Sequence, residues 1–214
     1  MRWCWLALLS MSGVADAAPT TACTMETRQT DGGPVLYATD FLVDAEGALT
    51  EEQTRSGTKI TQRTRYQRDA DRRVIEKCMF TVEGTTETPD GCAKLRYKGK
   101  TRRLLSDELV GADGDVVATT QFKFDARGRE VERKVKLASG KSVLHKRSYD
   151  AGGRLVTITI AESFGSHVIR HQYSKSGELE RQTVEVPDAD GKPQVNVIRT
   201  FVTPCTPAIL RDAS

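Results

Sequence analysis

The sequence predicts an all-β fold, an antiparallel meander of about 12–14 strands that curls into a closed or flattened barrel or a half-barrel. Three observations predict it. Apolar and polar residues alternate at period two. Glycine-centred turn signals recur at intervals of about 10–15 residues, and every second turn carries the same short motif about 25 residues after the last. No long segment holds the helical period of an amphipathic helix.

The elements follow in chain order. Residues 1–17 are expected to be a signal peptide, with Arg2 as the positive region, Trp3 to Leu9 as the apolar region and Ala15-Asp16-Ala17 as the cleavage site. The apolar run is too short to span a bilayer as a helix. What remains, residues 18–214, is expected to be one β-meander domain. Cys23 follows Thr20-Thr21-Ala22, so two fates are open to it, a disulfide or lipidation. Thr20 stands where lipid-attachment sites usually carry Leu.

Strand patterning is clearest in the second half. Val156, Ile158 and Ile160 share one side, with Thr157 and Thr159 opposite. Val131 and Val135 oppose Glu132, Lys134 and Lys136. Such segments suit half-buried antiparallel strands. Glycines from Gly32 to Gly191 punctuate them, and Arg72 occupies the place of a glycine between Gly57 and Gly84. Tight turns at this spacing force neighbouring strands to pair antiparallel.

The recurring motif is fullest at Tyr149-Asp150-Ala151-Gly152-Gly153-Arg154-Leu155. Phe124-Asp125-Ala126-Arg127-Gly128-Arg129 precedes it, Tyr173 to Leu179 follows it, and weaker copies lie at residues 43–49 and 68–74. An aromatic closes the strand, Asp caps the turn, Gly supplies positive φ and an apolar residue restarts the next strand. The chain here resembles the YD-repeat (RHS-type) family, whose signature is Tyr-Asp-x-x-Gly-Arg-Leu. The resemblance covers about residues 40–180 and is clearest over residues 124–180. It implies a rolled β-sheet shell or a carbohydrate-binding surface at a cell exterior.

The cysteines support export. After Cys4 leaves with the signal peptide, Cys23, Cys78, Cys92 and Cys205 remain, an even number suited to an oxidising compartment. Cys78 and Cys92 flank a turn symmetrically, and the same register sets Glu76 opposite Lys94. A cross-strand Cys78–Cys92 disulfide is therefore expected, leaving Cys23 to pair with Cys205 and fasten the two ends of the sheet.

The chain carries 32 basic and 29 acidic residues, a net charge of +3. That balance does not suit bulk nucleic-acid binding. Charges interrupt the strand faces and no aromatic girdle is evident, so a membrane-spanning barrel is not expected. No residue set carries catalysis. His167 and His171 share a strand face about 13 Å apart, too far for one metal ion. Asp188-Ala189-Asp190-Gly191 suits a hairpin turn better than a calcium loop. Glu162, Ser163, Ser166 and His167 lack a nucleophile elbow. No cofactor is implied, and oligomeric state is not legible.

The strongest functional pattern is basic. Lys94, Arg96 and Lys98 alternate on one strand, Lys100, Arg102 and Arg103 follow its turn, and Tyr97 lies between them. Arg63, Arg65, Arg68, Arg72 and Arg73 form a second basic stretch. Such a surface suits an anionic glycan or an acidic protein partner. The sequence thus favours an exported, non-enzymatic module, secreted or periplasmic, that binds a polysaccharide or a protein. The alternative is a periplasmic carrier of a lipid or other apolar ligand in a β-sheet groove.

Overall fold

Each predicted turn folds the chain back on its preceding strand, and fourteen strands result. The computed structural model describes residues 18–162 and 165–213. Residues 1–17, where a signal peptide is expected, and Ser163 of the Glu162 cluster lie outside them. The strands are β1 (Thr20–Arg28), β2 (Val35–Val43), β3 (Leu49–Ser56), β4 (Lys59–Arg68), β5 (Val74–Glu83), β6 (Thr86–Tyr97) and β7 (Leu104–Gly111). They continue as β8 (Val116–Phe124), β9 (Glu130–Leu137), β10 (Ser142–Tyr149), β11 (Leu155–Glu162), β12 (Gly165–Tyr173), β13 (Leu179–Pro187) and β14 (Pro193–Phe201). Every strand pairs antiparallel with its neighbours in sequence, and β14 pairs with β1 from Met25↔Phe201 to Arg28↔Ile198, so the sheet closes.

Closure needs curvature, and the repeats supply it at one rim. Each hairpin bearing the motif shifts register by one residue just before its turn, as between Lys123 and Phe124, Ser148 and Tyr149, and Gln172 and Tyr173. Such bulges bend a strand and increase its twist. The turns themselves match the expectation. Asp150 Oδ1 accepts the Arg154 amide at 2.8 Å, and its carbonyl accepts the Gly153 amide at 3.0 Å. Gly153 adopts φ 86°, and Arg72, standing in for glycine, adopts φ 60°. A positive φ is costly for a side chain of that kind.

Because direct cross-strand partners share a face, the register sorts the chain into an inner and an outer surface. One inner row runs Lys77, Ala93, Leu109, Ala118. Another runs Phe122, Arg133, His145, Ile160, His167. A third runs His171, Gln182, Arg199, Thr27. The outer surface is densely charged. Lys94 stands between Glu76 and Glu108, and Lys123, Glu132 and Lys146 form one outer row. A lipid-facing barrel carries an apolar band there instead. Among the described residues no helix is long and apolar enough to cross a membrane.

One element was not expected. After β14 the chain forms a short helix, α1 (Pro207–Ala213). Thr206 Oγ1 accepts the Ile209 amide at 3.4 Å, and Pro207 opens the first turn, where it has no hydrogen bond to lose. The helix lies at the motif-bearing rim and buries Ile209 against Cys23, Phe41, Leu49, Leu179, Phe201 and Cys205. The Arg68 guanidinium holds Asp212 at 2.8 Å. Both expected disulfides are present. Cys23–Cys205 lies in this inner cluster, so of its two possible fates Cys23 takes the disulfide. Cys78–Cys92 faces outward, and the predicted Glu76↔Lys94 pairing accompanies it.

Candidate functional site

The motif residues build the rim of the barrel, each in a defined role. The Arg after the turn glycine binds its own turn Asp: Arg73 Nε to Asp69 at 2.8 Å, Arg129 to Asp125 at 2.7 Å and Arg154 to Asp150 at 2.7 Å. The same guanidinium stacks on the aromatic of the following repeat. Arg73 covers Tyr97 at 5.0 Å, Arg129 covers Tyr149 at 4.5 Å and Arg154 covers Tyr173 at 5.2 Å. Each of those tyrosines then donates its hydroxyl to the carbonyl that restarts the preceding strand pair. Tyr97 reaches Val74 at 2.7 Å, Tyr149 reaches Glu130 at 2.6 Å and Tyr173 reaches Leu155 at 2.8 Å. Backbone amides and then the guanidinium hold Asp150 below the usual carboxylate range. At Asp69 the Arg73 side chain is the leading cause.

Inside this rim the two halves of the barrel differ. Beneath α1 the lumen is filled by the apolar cluster around Leu49 and Cys23. Across β5–β10 it is hollow, with a cavity of about 580 Å³ bounded at the rim by Arg211 and Asp212 of α1. Met79, Leu95, Leu109, Phe122 and Val135 give it apolar wall. Lys77, Asp107, Glu130, Arg133 and Arg147 give it charge.

The charged groups are unevenly partnered. Glu130 serves two guanidiniums, with Arg133 Nε at 3.0 Å and Arg147 Nε at 3.1 Å. The Arg147 contact is off-line, so that nitrogen makes no hydrogen bond although it is buried. The Tyr66 hydroxyl donates to Glu52, and Lys77 lies 5.7 Å over the Tyr66 ring. Burial lowers the Lys77 ammonium and raises the Glu52 carboxyl. Burial, followed by the positive charge of Arg147, lowers His171 to about 4. Its neutral Nε2 sits 2.9 Å from the Gln182 amide.

The sequence-predicted basic stripe does not gather on one surface. Lys94 and Arg96 face outward, and Arg96 pairs with Glu108 at 3.2 Å. Tyr97 faces inward. Lys98 and Lys100 lie at the turn, exposed, while Arg102 lines the cavity mouth. Arg103 stacks on Phe124 at 4.5 Å. The second stretch is also partnered. Arg63 and Arg65 bind Glu87 at 3.1 and 2.8 Å, Arg65 also binds Glu51 at 3.2 Å, and Arg72 reaches Asp44 and Glu46. Asp188 caps its hairpin through the amides of Asp190 and Lys192. Glu76, Cys78 and Cys92 lie close together, but both sulfurs are committed to the disulfide.

The lumen residues were the ones the sequence left unassigned. Arg133, Arg147 and Arg199 alternate with outward residues that are equally polar, so period two alone does not tell lumen from exterior.

No protein-family model matches the chain, and no curated protein matches it. Among solved structures, the crystal structure of TcdB2-TccC3 without its hypervariable C-terminal region is 16% identical over 74% of this chain, with a TM-score of 0.35. The Tc holotoxin pore of Photorhabdus luminescens is 15% identical over 82% of this chain, with a TM-score of 0.34. This chain spans 9% and 12% of those chains, about a tenth of their length. A porin-like protein from Bacteroides uniformis is 10% identical, covers 86% of this chain and 98% of its own, and has a TM-score of 0.52. That likeness is one of barrel fold.

Proposed function

We propose that the protein is an exported, non-catalytic carrier that holds an amphiphilic small molecule inside the barrel. The unfilled half of the lumen carries this reading. Its volume of about 580 Å³ falls within the roughly 300–1,000 Å³ of small-molecule sites, which are mostly apolar with a few placed polar groups. The charged outer surface suits an aqueous compartment, and the disulfides suit an oxidising one. Among the sequence-based alternatives the carrier is preferred to an exterior glycan or protein binder. Arg96 of the proposed stripe is satisfied by Glu108, whereas the cavity combines apolar wall with a few buried charged groups. The resemblance to YD-repeat proteins agrees with an enclosing sheet.

Native mass spectrometry and solvent extraction of the exported protein test the reading, with displacement of a fluorescent fatty-acid analogue as the quantitative assay. Ala93→Phe, which fills the cavity wall, should abolish binding. Lys94→Glu with Arg96→Glu, on the outside, should leave it unchanged. The reverse pattern would return the function to the outer stripe.

A further inference from the structure

We infer that the lumen ligand is an acidic amphiphile, and that its anionic head is bound between Arg147 and Arg199. The inference rests on the carrier reading and specifies its ligand. Between the two rims, the inward side of β9–β14 carries three guanidiniums, Arg133, Arg147 and Arg199, and among the described residues one carboxylate, Glu130. Glu130 is already shared by Arg133 and Arg147. Among the described residues no carboxylate lies within ion-pairing distance of Arg199, and its row neighbours are the uncharged Gln182 and Thr27.

A half-buried guanidinium with no counter-ion is unfavourable, because burial removes hydration that no ion pair replaces. Arg147 has Glu130 as a counter-ion, but its buried Nε makes no hydrogen bond, so one donor of that guanidinium remains unused. The register brings the two arginines to the same stretch of the inner face. Arg199 lies in the row of His171, and the row of Arg147 crosses β12 at Ile169, two residues from His171 on the same face. The positive charge of each lowers the His171 imidazole. Gln182 engages His171 from one side and stands opposite Arg199 on the other. Arg147 also lines the cavity. A head group seated there places its tail along Phe122, Val135 and Leu109. Guanidinium forks suit the planar carboxylate and the phosphate equally, so the shared chemistry is an oxyanion on an alkyl chain.

Calorimetric titration of the full exported chain with four chain-matched probes tests this: dodecanoate, dodecyl phosphate, dodecanol and dodecyltrimethylammonium. Both anions should bind at least about tenfold more tightly than dodecanol, since one hydrogen-bonded charge contact exceeds a tenfold effect. The stronger of the two anions identifies the head group. Arg199→Gln should remove that preference while leaving dodecanol affinity in place. It should also leave the ligand-free protein as stable as before or more so, because it deletes an unpaired charge. A lower melting temperature for ligand-free Arg199→Gln, with the anion preference retained, would make Arg199 structural and overturn the site. Equal binding of dodecanol and dodecanoate by the parent protein would overturn the head-group site and leave the carrier standing. Binding of none of the four would remove the carrier and the site together.

Discussion

The barrel is sealed on one side and hollow on the other, and the same inward-facing rows produce both outcomes. Where α1 docks, Leu49 is 1% exposed and Ile209 3% exposed, and a disulfide sits among them. Across β5–β10 the rows present Ala93, Ala118 and charged groups that neither fill nor seal. A round barrel of this strand number is too wide for its own side chains to fill. The difference teaches that filling is local and comes from an added element. Seven helical residues close half of the lumen, and the remainder keeps the cavity of about 580 Å³.

The two disulfides give the largest test of this contrast. Cys23→Ala with Cys205→Ala should cost about 5 kcal/mol by the chain-entropy relation, because the bridge spans a separation of 182 residues. Cys78→Ala with Cys92→Ala, on the outer face with a separation of 14, should cost about 3 kcal/mol. Urea unfolding under non-reducing conditions measures both. A larger cost for the outer pair would break the comparison.

Core truncation sharpens it. Leu49→Ala in the sealed half should cost about 3 kcal/mol, as buried leucines do. Leu109→Ala, which already borders open space, should cost about 1 kcal/mol. Acid is a third probe of the lumen wall. His171 titrates near 4 in the fold and near 6.5 when unfolded, so the unfolded chain takes up the proton first. Stability is therefore complete above about pH 6.5 and falls as the pH drops toward 4, by about 3 kcal/mol in all. His171→Gln should flatten that fall in a pH series of unfolding curves. The smallest effect belongs to the rim. Tyr149→Phe removes the hydrogen bond to the Glu130 carbonyl and keeps the Arg129 stack, which should cost about 1 kcal/mol.

Strand number, antiparallel order and both disulfides were legible because period two, turn glycines and register obey local rules. Arg72 is the sharpest case: the spacing set it in the place of a turn glycine, and it adopts the positive φ of one. Helix α1 was missed because seven residues hold barely two turns of pattern, although Thr206-Pro207 was a usable start signal. The candidate site was illegible for a different reason. In an ordinary sheet the polar face is the outer one, but here both faces carry arginine and glutamate. Alternation therefore marked Lys94 and Arg96 as conspicuous and left Arg147 and Arg199 unremarked. Only the register across several strands tells which arginines share the lumen face.

The meeting of β1 with β14 has a consequence for how the chain assembles. Every other hairpin is zipped by its own short turn, and Tyr97, Tyr149 and Tyr173 each tie their repeat to the one before, so the ribbon can grow from any point along its length. The seam alone must wait for the two termini to find each other, and its ladder is brief. The sulfur bond beside it works as a clasp across that joint. A ring welded at one joint can be opened elsewhere: linking the termini across that joint and cutting at an exposed hairpin such as Gly140 should yield the same barrel from a re-ordered gene.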